Sequence, residues 1–180
     1  ALSDITRQGK AIYVGMSNYN GKKMHRMYHR CDDLNVPFII NQNRYSIFDR
    51  TIENNGLKQT AVELKKGIIA FSPLAQGLLT NRYLNGIPSD SRAAKDSRFL
   101  KQSAITDEKI AKIKALSKIA EQRGQTLAET ALAWVLKDGA VTSVLIGASK
   151  PSQILDNIKA IQNTSFSVEE LEAIDKISLD

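Results

Sequence analysis

The stretch Gly67-Ile68-Ile69-Ala70-Phe71-Ser72-Pro73-Leu74-Ala75-Gln76-Gly77 decides the fold, because a short apolar strand leads directly into a proline and a loop of small residues. Three other segments share this pattern of an apolar run that ends in polar residues: Ala11–Asn18, Phe38–Ser46 and Thr142–Ser149. Each is followed by sequence with helical periodicity. Four such strands predict a parallel β/α assembly, in which ligands bind at the carboxyl ends of the strands.

The spacing of these segments predicts half of a (β/α)₈ barrel. The first three strands recur at intervals of roughly 30 residues, the size of a βαβ unit, and helices are predicted over about Lys22–Leu34 and Leu57–Lys66. Further helices are predicted to begin near Thr106, Gln125, Pro151 and Ser167. The predicted fold class is therefore α/β, with four parallel strands, helices outside them, and one partial domain over residues 1–180.

Several apolar and aromatic side chains are predicted to pack in the core. In the helix that begins at Pro151, the side chains predicted to face inward are Ile154, Leu155, Ile158 and Ile161. Trp134 is predicted to be a core residue, and Tyr13 and Tyr45 are predicted to be packing residues rather than acids. Half a barrel leaves two edge strands unpaired. We therefore expect the chain to dimerise, to misassemble, or to be part of a longer protein.

The segment from Leu78 to about Ile105 breaks the β/α rhythm. It is polar and irregular, and a loop of this length inside a compact domain is commonly functional. A disordered surface loop is the alternative interpretation.

Composition limits the class of partner. A net charge of +6 over 180 residues is compatible with a phosphorylated ligand, but the lysines are spread along helical stretches rather than clustered with aromatics. Nucleic acid is therefore not predicted as a partner, and no apolar run approaches the roughly 18 residues of a membrane helix, so no membrane insertion is predicted. Cys31 is the single cysteine, which is compatible with a reducing compartment and a cytoplasmic location.

Polar groups at the predicted strand ends suit a flat ring and its phosphates. Ser17, Asn18 and Gln42 supply hydroxyl and amide groups that can fix a polar ring, and Phe71 supplies a flat face for stacking. The stretch Ser72–Gly77 offers backbone N–H groups and little side-chain bulk, which suits a diphosphate.

A second candidate anion site is Gly147-Ala148-Ser149-Lys150, directly before a predicted helix. A helix N-terminus attracts anions through its free N–H groups and its dipole. Ser149 would add a hydroxyl group and Lys150 a positive charge to any phosphate bound there.

The sequence contains one pattern that is typical of a metal site, but its context favours a surface position. His25 and His29 have the i, i+4 spacing of a helical metal site, with Cys31 and Asp32 nearby. Their helix is basic, and we predict that the pair lies at the surface. No metal site and no catalytic residue is predicted in this chain.

Together these segments resemble the C-terminal half of the aldo-keto reductases. The matching blocks are Gly9–Asn18, Gln42–Tyr45, Phe71–Gly77 and Leu145–Ser149, with Gln153 and Asn157. The branch most similar in appearance contains the potassium-channel β-subunits and related bacterial reductases. The resemblance covers nearly the whole chain, from the fifth strand to the last helix of that barrel, and it implies that residues 78–105 form the loop over the cofactor.

The resemblance implies which residues hold an NADPH cofactor. Ser17, Asn18 and Gln42 would hold the nicotinamide carboxamide, and Phe71 would stack on its ring, where the family more often has Tyr or Trp. The diphosphate would be lined by Ser72, Pro73, Leu74, Ala75, Gln76 and Gly77. The long loop would contribute Arg82 and Arg92. Contacts to the adenosine and its 2′-phosphate, which favour NADPH, would come from Gly147, Ser149, Gln153, Asp156 and Asn157.

The resemblance also implies the activity of the parent protein. The family's catalytic tetrad of Asp, Tyr, Lys and His lies on its first four strands, which are not in this sequence. The predicted function is an NADPH-dependent oxidoreductase for a small-molecule aldehyde or ketone, with this chain supplying the cofactor-binding half but no activity alone. Two alternatives remain: a nucleotide-sensing subunit like a potassium-channel β-subunit, or a non-catalytic half-barrel whose copies self-associate.

Overall fold

The structure is a computed structural model that describes residues 1–95, 98 and 100–179. The chain divides into two compact units. The first comprises Ala1–Tyr45, Asp49–Phe71 and Asp138–Leu145. The second comprises Ser46–Phe48, Ser72–Lys137 and Ile146–Asp180.

The first unit is built on a sheet of four parallel strands in the order β1-β2-β3-β4. The strands are β1 (Val14–Ser17), β2 (Phe38–Arg44), β3 (Gly67–Phe71) and β4 (Ser143–Leu145). Parallel pairing in sequence order is what consecutive β/α units produce. The predicted α/β fold class with four parallel strands is therefore confirmed.

β1 begins at Val14 rather than at the predicted Ala11. The Val14 N–H donates to the carbonyl oxygen of Pro37 at 3.0 Å, directly before β2, and Val14 is the first paired residue of the strand. Tyr13 precedes that pairing and is 60% exposed. The prediction of Tyr13 as a packing residue is wrong, because the pairing that would cover it starts one residue later.

The helices of the first unit precede β1 or lie between β1 and β3 in the chain. They are α1 (Leu2–Arg7), α2 (Gly21–Asp33), α3 (Thr51–Asn54) and α4 (Leu57–Glu63). Asn20 is the N-cap of α2, and its side chain accepts a hydrogen bond from the Lys23 N–H at 2.9 Å. A Cβ atom at Gly21 would lie 2.4 Å from the carbonyl oxygen of Gly56, so the close approach of α2 to the start of α4 requires glycine there.

The second unit is helical. Its helices are α5 (Arg92–Lys95), α6 (Asp107–Gln122), α7 (Leu127–Leu136), α8 (Pro151–Ile158) and α9 (Val168–Leu179). Short 3₁₀ segments cover Ala75–Gly77, Asn81–Tyr83, Gln102–Ala104 and Lys159–Gln162. α7 starts with a capping box in which Thr126 and Glu129 bond each other's backbone N–H groups. Trp134 in α7 is fully buried, as predicted.

Residues 78–105 are more ordered than their composition suggests. Their described part contains the two 3₁₀ segments Asn81–Tyr83 and Gln102–Ala104 as well as α5. Its buried side chains include Leu78, Leu79, Tyr83, Ala93 and Leu100. The described part is therefore a loop with short helical turns, in which apolar side chains scattered among polar ones are buried. That it covers a cofactor stays a prediction.

α8 buries a different side from the one predicted. Ile154, Leu155, Ile158 and Ile161 are between 45% and 66% exposed. Gln153 and Asn157, which share a neighbouring side of the helix, are half-buried instead, and Ala160 in the following 3₁₀ segment is buried. Periodicity identified an apolar stripe but could not say whether another element of the chain covers it. The prediction that this stripe faces inward is therefore wrong.

A buried arginine joins the α6–α7 connection to the start of α9. The Arg123 side chain is 3% exposed, and its Nη1 lies 2.7 Å from Glu170 Oε2. Nη2 donates to the carbonyl oxygen of Ser165 at 2.9 Å, and Nε donates to Gln125 Oε1 at 2.9 Å. The guanidinium carbon lies 3.7 Å from the centre of the Phe166 ring. This set of bonds holds the start of α9 against the α6–α7 connection.

Candidate cofactor site

The polar side chains predicted at the strand ends lie on one face of the first unit's sheet. Ser17 pairs with Gln42 across β1 and β2, and Arg44 pairs with Phe71 across β2 and β3. Paired residues of neighbouring strands share a face, as do residues two apart along one strand. On this face Ser17 and Arg44 are exposed, and Gln42 and Phe71 are half-buried. The opposite face is buried and carries Asn41, Asn43, Ile68 and Ala70.

The predicted carboxamide-binding side chains are available for a ligand. Within the part of the chain that the structure describes, the side chains of Ser17, Asn18 and Gln42 form no hydrogen bond. Each can donate and accept, which is the requirement for holding a carboxamide. The first unit therefore places Ser17, Gln42 and the aromatic ring of Phe71 on one face of the sheet, and Asn18 directly follows Ser17 in the chain.

The backbone after β1 is fixed from the buried side of the sheet. Asn18 has a left-handed conformation (φ 58°), and its N–H donates to the Gln42 carbonyl oxygen at 2.8 Å. The Asn43 side chain donates to the carbonyl oxygen of Tyr19 at 3.2 Å, and Asn41 donates to Asn43. Sequence reasoning missed Asn41 and Asn43. The available signal was that both amide side chains fall on the face of β2 that alternation along the strand predicts to be buried.

Arg44 is a second residue that sequence reasoning missed. Its guanidinium carbon lies 5.8 Å from the centre of the Phe71 ring. Its side chain is 59% exposed, and its Nε is 3.9 Å from Asp49 Oδ2. The available signal was its position two residues after Gln42, which places both side chains on the same face of β2.

Tyr45 follows β2 and is buried, as predicted. Its hydroxyl donates to Glu53 Oε1, and Arg50 Nε donates to the other oxygen of Glu53 at 2.7 Å. Burial, reinforced by the hydrogen bond and the charge of Glu53, raises the pKa of Tyr45. Tyr45 therefore keeps its proton and stabilises the turn into α3.

The predicted diphosphate loop lies at the start of the second unit's main segment. Ser72, Ala75 and Gln76 all have positive φ values (55°, 47° and 61°), which is unusual for residues other than glycine. The Ala75 N–H donates to the Ser72 carbonyl oxygen at 2.9 Å, and the Gly77 N–H donates to that of Leu74 at 2.9 Å. These two N–H groups are used inside the turn, so the loop exposes fewer donors than the sequence predicts.

The predicted anion site before α8 is closed by Gln153. Its Oε1 accepts hydrogen bonds from the Ser149 N–H (2.7 Å), the Lys150 N–H (3.2 Å) and the Ser149 hydroxyl (3.2 Å). A side-chain oxygen thus occupies the position in which an anion at a helix N-terminus would accept these bonds. Gly147, Ser149 and Lys150 are exposed.

Two other residues of the predicted adenosine site lie further along α8. Asn157 is half-buried, and Asp156 is exposed and accepts a hydrogen bond from Lys159 Nζ at 2.9 Å. That hydrogen bond and the Asp156 charge raise the pKa of Lys159.

Of the two arginines predicted to contact the cofactor from the long loop, the structure describes the side chain of Arg82 but not that of Arg92. Arg82 Nη2 forms an ion pair with Asp90 Oδ2 at 2.8 Å, so its charge is compensated within the loop. Arg92 is the first residue of α5, and its side chain lies outside the described part of the structure.

A pocket of about 300 Å³ lies at the opposite, amino end of β2. It is lined by Tyr28, Cys31, Asp32, Asn35, Val36, Pro37, Phe38 and Lys66. Burial raises the pKa of the Cys31 thiol, and the nearby Lys66 partly opposes this. The pocket does not coincide with the predicted cofactor residues.

The histidine pair lies at the surface, as predicted. His25 and His29 are exposed, and their Nε2 atoms are 3.4 Å apart. Among the described residues no group of three or more His, Cys, Asp or Glu side chains could hold a metal ion. No described helix is both long and apolar enough to cross a membrane.

Comparison with known proteins identifies the class to which this arrangement belongs. The aldo/keto reductase family matches residues 1–179, and the chain belongs to that family. Its four parallel strands are therefore part of a (β/α)₈ barrel, which confirms the predicted resemblance and fold.

Two curated relatives are named L-glyceraldehyde 3-phosphate reductase, one from Escherichia coli O157:H7 and one from Escherichia coli strain K12. Each is 42% identical over 179 residues, which cover 98% of this chain and 52% of the relative. The chain thus spans about half the length of these relatives.

Proposed function

We propose that this chain binds NADPH and supplies the cofactor-holding part of a reductase for aldehydes or ketones. The observation that carries the proposal is the exposed sheet face on which Ser17 and Gln42 lie with Phe71. Membership of the aldo/keto reductase family and the names of the two relatives support an oxidoreductase. The preference for NADPH rests on the likeness of residues 147–157 to the family's 2′-phosphate site.

The first unit's residues fit the nicotinamide end of the cofactor. When bound, NADPH supplies a hydride to the substrate. Gln42, Asn18 and Ser17 would bind the carboxamide and set the orientation of the ring. Phe71 would cover one face of that ring and exclude water from it.

The second unit's residues fit the phosphate end, but they are engaged with one another. The hydrogen bonds from the Ser149 and Lys150 N–H groups to Gln153 would have to break before these groups could donate to a phosphate. Arg82 would likewise exchange Asp90 for a cofactor phosphate. Binding is therefore expected to be weaker than for preformed donors, because each exchange breaks a bond before a new one forms.

No residue of this chain is proposed as a catalytic residue, and the chain alone is expected to be inactive. The proton donor would come from another part of the parent protein. The substrate is proposed to be a small carbonyl compound, with the phosphorylated aldehyde named for the relatives as the first candidate. A cytoplasmic location is part of the proposal, because Cys31 has no second cysteine to pair with in these 180 residues.

Titration with NADPH and NADH tests the proposal. Cofactor fluorescence and the emission of Trp134, the single tryptophan, report binding. We expect saturable binding that favours NADPH, and we expect Phe71→Ala and Gln42→Ala each to weaken it about tenfold. Tyr13→Ala is the matched control, because Tyr13 is an exposed aromatic residue of the same unit.

The titration is made on this chain and on the full-length parent protein. Binding to the parent alone would mean that the chain's residues need the rest of the protein. Absence of saturable binding to the parent would refute the proposal. Equal affinity for NADPH and NADH would refute the assigned 2′-phosphate site.

A further inference from the structure

We propose that Arg44 forms an anion-binding subsite for the carbonyl substrate, and that the substrate therefore carries a phosphate or carboxylate group. This inference rests on the proposed function, because it requires that the exposed sheet face holds the reacting groups. It adds a residue and a substrate class to that proposal.

The placement of Arg44 is the first argument. It is the last residue of β2, two residues after Gln42, and it pairs with Phe71 on β3. All three side chains therefore lie on the same face, at the carboxyl end of the sheet. An anionic group held by Arg44 would lie beside whatever stacks on Phe71, because the guanidinium carbon is 5.8 Å from the ring centre.

The availability of the guanidinium is the second argument. Its one carboxylate neighbour among the described residues is Asp49, at 3.9 Å from Nε, and its side chain is 59% exposed. Arg50 and Arg123 are different, since each has a carboxylate oxygen at 2.7 Å. Within the described part of the chain the two terminal nitrogens of Arg44 have no carboxylate partner, so they can bind a ligand.

The chemistry of the group is the third argument. A guanidinium presents paired N–H donors in a planar fork that matches phosphate and carboxylate oxygens bidentately. Contact with the Phe71 ring limits the orientations of this fork at small energetic cost. An exposed lysine on a flexible stem would offer the same charge without that geometry.

Steady-state reduction by the full-length parent protein at saturating NADPH tests the inference. Two substrate pairs isolate the charge: glyceraldehyde 3-phosphate against glyceraldehyde, and 4-carboxybenzaldehyde against benzaldehyde. We expect Arg44→Gln to raise KM about 30-fold for the anionic aldehyde of the pair that the subsite recognises. The KM for the neutral aldehyde of that pair should change less than about threefold. The pair that shows the larger effect distinguishes phosphate from carboxylate.

Three comparisons separate this role from others. Arg44→Lys should recover only part of the KM effect, because it keeps the charge but not the fork. Arg26 is an exposed arginine on α2, so Arg26→Gln is the matched control and should leave the KM for both aldehydes of a pair unchanged. The NADPH dissociation constant should be unchanged in Arg44→Gln, whereas a role in cofactor binding would weaken it.

Equal losses for charged and neutral aldehydes would overturn the inference, since they would show that Arg44 only supports the Phe71 ring. A second readout does not depend on turnover. Phenylglyoxal modification of Arg44, followed by peptide mass spectrometry, should be slowed about fivefold or more by glyceraldehyde 3-phosphate but not by glyceraldehyde. Arg26 should show no protection, and equal modification of Arg44 under all conditions would also overturn the inference.

Failure of the proposed function would look different. A parent protein that binds no NADPH and reduces no aldehyde, neutral or charged, contradicts the reductase proposal itself. A parent protein that binds NADPH and reduces neutral aldehydes, but is insensitive to Arg44→Gln, contradicts only the subsite.

Discussion

Replacement of Arg123 by alanine should strongly destabilise the second unit. The substitution removes the ion pair with Glu170, the bonds to Gln125 and Ser165, and the stacking on Phe166. Loss of one member of a buried ion pair costs about 3–5 kcal/mol. Glu170 is 29% exposed and can be partly rehydrated, so we discount this range and expect the free energy of unfolding to fall by about 2–4 kcal/mol.

Urea unfolding followed by the fluorescence of Trp134 measures this loss. Trp134 is buried in α7 of the same unit, so its emission reports the structure that Arg123 supports. Arg123→Lys should lose an intermediate amount, because lysine keeps the charge but cannot serve several acceptors in one plane. Arg26→Ala is the matched control on an exposed arginine, and it should change the free energy of unfolding by less than about 0.5 kcal/mol.

The reasoning on Arg123 would be refuted by a loss below about 1 kcal/mol with an unchanged dependence on urea concentration. A lysine variant as stable as the wild type would refute the part of the reasoning that depends on the planar fork.

Three further predictions concern backbone contact, pH and surface exposure. Gly21→Ala should cost about 1–3 kcal/mol, because the new Cβ would meet the Gly56 carbonyl oxygen at 2.4 Å; thermal unfolding checks this, and an unchanged Tm contradicts it. Because the folded state raises the pKa of Tyr45, its contribution is complete below pH of about 10 and is lost as the pH rises above that value. Tyr45→Phe should flatten the fall in stability between about pH 10 and 11.5, and an identical fall in both proteins would contradict the assignment to this phenol and Glu53. Leu155→Ser should change stability by less than about 0.5 kcal/mol in urea unfolding, and a loss above about 2 kcal/mol would mean that Leu155 is covered in solution.

The sequence was sufficient to locate the four strands because each lies within a short apolar run, although β1 begins three residues later than its run does. Ile68 and Ala70 are fully buried on β3, and the polar residues that end the strands lie on the predicted edge. The strand pattern alone is also enough to group Ser17, Gln42 and Phe71. Alternation along a strand and pairing between strands are local rules.

The remaining details depend on which groups find one another in three dimensions. Gln153 could serve a ligand or cap its own helix, and its hydrogen bonds to residues 149–150 show that it caps the helix. The position of Arg44 two residues after Gln42 placed it on the same face, but an arginine at a strand end is usually a solvated charge. Its distance to Phe71 and its long separation from Asp49 are visible only in the structure.

The same limit applies to the apolar stripe of α8. A helical repeat of isoleucine and leucine indicates that one side of the helix is apolar. Whether that side is buried depends on whether other elements pack against it. The positions of the half-buried Gln153 and Asn157 show that α8 is turned toward its polar side.

The uncovered stripe of Ile154, Leu155, Ile158 and Ile161 has a practical consequence for handling the chain. Environment-sensitive dyes become fluorescent on exposed apolar patches, whether or not a protein has melted. A dye-based thermal-shift experiment should therefore start from a bright baseline while the chain is still native. Intrinsic tryptophan emission, rather than dye binding, is the signal from which a melting temperature should be read.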